Sequence, residues 1–171
     1  MGTHIDALNH FGLDGKIWNG FTPEEYLGDK GWKKTGAETI PPIIARGVLL
    51  DVAAAKGSLP KNYRITSQDL QLTLKKQGIK LNSGDVVLIR TGQAEFYEDA
   101  PHYLDNYPGI GLEAVKWLVE EQGIMLLGAD NLSIEAFPPE REDNWVPVHT
   151  YLLAEKGVMF IEQLFLEQLS K

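Results

Sequence analysis

Gly84-Asp85-Val86-Val87-Leu88-Ile89-Arg90-Thr91-Gly92 decides the fold class of this chain. Its centre is a β-branched and aliphatic run, too short for a helix and closed by glycine on both sides, which predicts a buried strand. Upstream, Thr66-Ser67-Gln68-Asp69 reads as a capping-box variant with Asp in place of Glu or Gln. It opens a helix carrying Leu70, Leu72, Leu74 and the Lys75-Lys76 pair, which stops at Gly78. Downstream, Leu112, Val115, Leu118 and Val119 recur at helical spacing and predict a helix from about Leu112 to Gln122, ended by Gly123. Ile124-Met125-Leu126-Leu127-Gly128 is the next strand, and Gly47-Val48-Leu49-Leu50-Asp51-Val52 is an earlier one. After Pro138-Pro139 come a short helix from Val148 to Glu155 and a last strand from Val158 to Leu164. Strands alternating with helices predict an α/β or α+β domain. No repeat or linker divides the chain, so a single domain over residues 1–171 is expected.

The composition narrows the partners. Sixteen Lys and Arg against 24 Asp and Glu give a formal charge of -8, which opposes non-specific binding to nucleic acid or to an anionic membrane surface. The absence of cysteine excludes disulfides and Cys-ligated zinc, so any metal must be held by His, Asp and Glu. No apolar run approaches ~18 residues and no basic-then-apolar leader opens the sequence, so a cytoplasmic protein is expected.

Residues 11–40 show no sustained period and are punctuated by Gly12, Gly15, Gly20, Gly28, Gly31 and Gly36. One short helix is expected to start at Thr22-Pro23-Glu24-Glu25. The aromatics of this segment, Trp18, Phe21, Tyr26 and Trp32, either line a pocket or bury the loop itself.

The side chains suited to chemistry lie at the two ends. Gly2-Thr3-His4-Ile5-Asp6-Ala7-Leu8-Asn9-His10 places two imidazoles and a carboxylate at offsets of two and four. In an extended strand His4, Asp6 and His10 all project one way, a natural beginning for a Zn²⁺ or Mn²⁺ site. Glu162 interrupts the apolar run of the last strand and shares a face with Val158, Phe160 and Leu164. Such a carboxylate either meets water on an edge strand or needs a partner. His149, thirteen residues earlier on the preceding helix, can converge with it. His102, in Pro101-His102-Tyr103, reads as a surface residue. Gly109-Ile110-Gly111 follows Pro108 rather than a strand and lacks a third glycine, so it is no dinucleotide fingerprint. Walker and His-Glu-x-x-His sequences are absent, and neither Ser133 nor Ser170 sits in a nucleophile elbow.

Gly2-Thr3-His4-Ile5-Asp6-Ala7-Leu8-Asn9-His10-Phe11 resembles the signature His-x-Gly-Thr-His-x-Asp-x-Pro-x-His of the metal-dependent cyclase family, which includes bacterial kynurenine formamidases and isatin hydrolases. The resemblance continues through Gly47–Val52, Gly84–Gly92, Gly128-Ala129-Asp130-Asn131 and the stretch from His149 to Glu162. It implies a swivelling β/β/α fold with a mixed sheet and packed helices, a centre of one or two Zn or Mn ions, and hydrolysis of an amide, lactam or lactone. Carried over by position, His4, Asp6, His149 and Glu162 are implied metal ligands and His10 the acid/base. Trp18, Phe21 and Trp32 are candidates for the wall that grips a substrate ring.

Leu8 stands where the family usually has Pro. The family's first ligand His falls four residues before His4, ahead of Met1, and the strands that usually precede the motif are expected to be missing. An open sheet edge then predicts a homo-oligomer. Two other readings stay in play: a weakly active or non-catalytic relative that serves as a binding or structural domain, and a metal-free isomerase or cyclase using His10 and Asp6 as acid and base.

Overall fold

The computed structural model describes residues 2–171. Strand β1 (His4–Asp6) leads into a long connection holding α1 (Pro23–Tyr26) and a hairpin of β2 (Leu27–Gly28) and β3 (Gly31–Trp32). Then come β4 (Gly47–Asp51), α2 (Val52–Lys56), β5 (Arg64–Ile65), α3 (Ser67–Gln77) and β6 (Val86–Arg90). The second half contains α4 (Ala100–Leu104), β7 (Gly109–Ile110), α5 (Leu112–Lys116), β8 (Leu126–Ala129), α6 (Pro147–His149) and β9 (Phe160–Glu162). Wider π turns prolong α5 through Trp117–Glu121 and α6 through Thr150–Lys156.

Five strands form one mixed sheet in the order β1-β9-β8-β6-β4. Four run parallel, and β1 lies antiparallel on β9 at the edge. Alternation decides what each strand buries: Val48 and Leu50 on β4, and Val87 and Ile89 on β6, enter the core, whereas all four residues of β8 are buried. Leu70, Val115, Leu118, Leu152 and Phe160 complete that core from the helices and β9. The expected α/β architecture, a mixed sheet with packed helices, is the one observed.

Local chemistry fixes the element ends. Thr66 accepts a hydrogen bond from the Asp69 N–H while the Asp69 carboxylate accepts from the Thr66 N–H, so the capping box closes, and Gly78 ends the helix at φ 66°. The free edge of β4 is blocked by Gln77, whose Nε2 donates to the Leu49 carbonyl at 2.8 Å and whose Oε1 accepts from the Asp51 N–H at 3.1 Å. Arg90 gathers Asp51, Glu95 and Glu167, which pins the C-terminal segment to the sheet.

Three expectations shift. The last strand spans Phe160–Glu162 instead of Val158 to Leu164, because Gln163 turns to φ 55° and breaks the extended run. The strand expected at Ile124 begins at Leu126. The irregular 11–40 segment contains the β2–β3 hairpin, whose turn uses Gly31 at φ 102°.

Candidate metal centre

The pairing of the first and last strands builds the centre. His4 lies directly opposite Glu162, and Asp6 opposite Phe160, so these four side chains share one face. His4 Nε2 is 3.5 Å from Asp6 Oδ1 and 3.5 Å from Glu162 Oε2. One ligand atom from each of these three residues lies within 4.8 Å of the others. The other imidazole nitrogen of His4, Nδ1, is 2.9 Å from the Gly2 carbonyl oxygen. Donation there leaves the Nε2 lone pair facing the two carboxylates, as a metal ligand requires.

His10 reaches the same place by a different route from the one its spacing suggests. The strand stops at Asp6, and a turn closed by the His10 N–H donating to the Ala7 carbonyl at 2.9 Å folds the imidazole back. Its Nε2 then sits 3.7 Å from Asp6 Oδ2 with the side chain 56% exposed. A half-exposed imidazole beside a buried carboxylate can exchange protons with solvent and with a ligand.

His149 approaches from the opposite side, on the first turn of the helix that Pro147 opens. A residue that spacing did not single out, Glu135, holds it. The Glu135 carboxylate accepts from the Val148 N–H at 3.3 Å and the His149 N–H at 3.0 Å, and lies 2.7 Å from His149 Nδ1. That arrangement aims Nε2 at Glu162 Oε1, 3.3 Å away. Burial pulls the imidazole pKa down, but the adjacent carboxylates of Glu135 and Glu162 outweigh it and raise the value to about 9. Glu135 follows Ile134, a fully buried β-branched residue at φ 57°, a conformation such residues rarely adopt. The backbone of Glu135 runs so close to Gly109 that a Cβ there would overlap it, which is the physical use of that glycine. The signal for Glu135 was available: like Glu162, it interrupts an apolar stretch, Ile134-Glu135-Ala136.

The donor set fits a divalent cation. Asp6 and Glu162 are 4% and 6% exposed, and Asp6 Oδ2 and Glu162 Oε1 have no hydrogen-bond donor. Among the described residues their ion-pair partners are imidazoles, with no Lys or Arg. Two buried carboxylates with no Lys or Arg beside them leave negative charge for a cation to balance, and imidazole nitrogens with carboxylate oxygens suit Zn²⁺ or Mn²⁺.

The aromatics expected to form a substrate wall make contacts of their own. Trp18 packs its indole on Gly157, Phe21 stacks edge-on with Tyr26 at 4.6 Å, and Trp32 pairs with Leu27 in the hairpin. Among the described residues, no hydrogen bond or ring contact joins these three to His4, Asp6 or Glu162. Phe11 and Phe160 are the rings that touch the centre, 6.1 and 4.7 Å from the His149 ring. His102 stacks on Phe96 at 3.8 Å.

The family model described as putative cyclase matches residues 1–136, a span that holds His4, Asp6, His10 and Glu135. A solved structure of a novel cyclase superposes with a TM-score of 0.88 at 37% identity, over 98% of this chain and 56% of that one. Isatin hydrolase A from Labrenzia aggregata, bound to benzyl benzoate, superposes with a TM-score of 0.72 at 21% identity, over 98% of this chain and 61% of that one. Cyclase-like protein 3 of Oryza sativa subsp. japonica is 34% identical over 64 residues, which is 37% of this chain and 22% of that protein. The chain thus spans a little over half the length of the solved structures it matches.

Proposed function

The chain belongs to the putative cyclase family, and from that premise we propose that it hydrolyses an amide or cyclic amide C–N bond with the help of a divalent metal. The observation that carries this reading is the buried pair Asp6 and Glu162, each with an oxygen lacking a hydrogen-bond donor, directly beside the Nε2 of His4. His4, Asp6 and Glu162 would hold the cation, with His149 joining through its Nε2. A bound Zn²⁺ or Mn²⁺ supplies Lewis acidity and a lowered water pKa near neutral pH. The similarity to a protein named isatin hydrolase supports the fold of such a catalyst, and the residues of this chain support its chemistry.

The roles of the side chains follow from their surroundings. Glu135 fixes the ring of His149 from behind, so that Nε2 faces the centre without a search over rotamers. Phe11 and Phe160 cover His149 and exclude water from that flank. His10 is the mobile proton carrier: its half-exposed imidazole takes a proton from the attacking water and returns it to the departing nitrogen.

Elemental analysis of purified protein, with His4→Ala and Glu162→Ala alongside, tests the centre. Stoichiometric zinc or manganese that both substitutions remove supports it, and metal that survives either one excludes that residue. Turnover of an aryl formamide or isatin that a chelator abolishes supports hydrolysis; chelator-resistant turnover points to acid–base chemistry without metal.

A further inference from the structure

We propose that Gln163 is the hydrogen-bond donor that receives a neutral carbonyl oxygen of the substrate, in a ring-sized cavity beside the metal centre. The inference rests on the hydrolase reading and gives it a substrate class.

Gln163 is only 6% exposed, and its Nε2 has no hydrogen-bond partner. The main chain around that amide is fully engaged. The Gln163 N–H donates to the Asn131 carbonyl at 3.1 Å, and the Gln163 carbonyl accepts from Thr3 Oγ1 at 2.6 Å. Its φ of 55° takes the side chain out of the strand's alternation. A donor buried without an acceptor, on a backbone held from both sides, is costly unless something arrives to accept its proton.

Space for that acceptor is present. Gln163 lines a cavity of about 290 Å³ together with Thr3, Ala94, Tyr97, Tyr103 and Phe165. Gln163 directly follows Glu162, and Tyr103, which lines the cavity, has its phenol pushed up by burial, by Asp130 and by Glu162, which sets the cavity within electrostatic reach of the proposed centre. It opens where β6, β8 and β9 present their carboxyl ends, the edge at which open α/β sheets take up ligands. Its volume sits at the small end of small-molecule sites and suits one aromatic ring with its carbonyl.

Charge selects the class of that carbonyl. No Lys or Arg lines the cavity, whereas Asp130 does. Asp130 is fully buried and engaged by the Thr91 N–H, the Thr91 hydroxyl and the Gly92 N–H. A carboxylate ligand would face Asp130 and the nearby Glu162 without a counter-charge from the wall. A neutral aryl amide, imide or ester carbonyl accepts from Gln163 without that repulsion.

Isothermal titration of benzamide into the zinc-loaded protein tests this, with benzoate as the charged comparison. Gln163→Met is expected to weaken benzamide about tenfold while zinc content stays at its wild-type value and Tm does not fall. Ala94→Leu, which fills the cavity and leaves Gln163 intact, is expected to weaken it at least as much, and decides the matter if Gln163→Met does not fold. Benzoate is expected to bind more weakly than benzamide. In turnover of an aryl formamide, Gln163→Met raises KM more than it lowers kcat, and Gln163→Asn recovers part of the loss. Benzamide affinity unchanged in both cavity variants, tighter benzoate than benzamide, or no benzamide binding by the wild type overturns the proposal. Zinc binding with Gln163-independent benzamide affinity overturns this inference alone. Gln163-dependent benzamide binding in a protein that takes up no zinc overturns the metal reading alone.

Discussion

Replacing Asp6 by Asn is expected to move stability in opposite directions with and without metal. Asp6 is 4% exposed, its Oδ2 has no donor, and the imidazoles near it are 3.5 and 3.7 Å away. Among the described residues no Lys or Arg is paired with the carboxylate, which lies beside Glu162. Leaving such a group unsatisfied costs roughly 1–3 kcal/mol, and more when it is charged. Asn removes the charge and keeps the shape, so chelator-treated Asp6→Asn should be more stable than wild type by about that amount. For a chain of this length each kcal/mol corresponds to roughly 2–4 °C in Tm. With zinc at a hundred times its Kd the wild type gains about 2.7 kcal/mol by mass action, and the variant, short of a ligand, gains little. Differential scanning calorimetry at pH 8, with chelator and then with zinc, reads both. A variant less stable than wild type in chelator, or equally stabilised by zinc, refutes the reasoning.

Glu135→Gln should keep the fold and weaken metal binding about 10–100-fold, because the ring of His149 loses the carboxylate that orients it; competition against a chromophoric chelator measures this. In metal-free protein, the His149 pKa of about 9 lies above the unfolded value of ~6.5, so its contribution is full below the lower value and is lost as pH rises through 9. Urea midpoints at pH 6 and 9.5 should differ by an amount on the order of 3 kcal/mol, and His149→Gln should flatten that slope. Thr66→Ala removes the hydroxyl that caps α3 and should cost about 1 kcal/mol without changing metal content.

What could be read before folding was whatever a short window encodes. The capping box at Thr66, the glycine stop at Gly78 and the β-branched strand at Val86–Arg90 need only their own neighbours, and all three appear as expected. The pairing of His4 with Glu162 followed from the family resemblance, since residues at opposite ends carry no local sign that they will meet. His10 was placed in the right company by parity, although a turn and not a strand delivers it. Glu135 and Gln163 escaped because each depends on a positive φ, at Ile134 and at Gln163 itself, that neither residue type announces. The end of β9 was missed for the same reason.

The hydrogen bond from Thr3 to Gln163 joins residues 160 positions apart. Synthesis on the ribosome therefore makes the two halves of the centre at very different times. The imidazole and carboxylate of β1 have no partner strand until β9 has left the exit tunnel. Ordering of β1 on its partner therefore waits on the synthesis of β9.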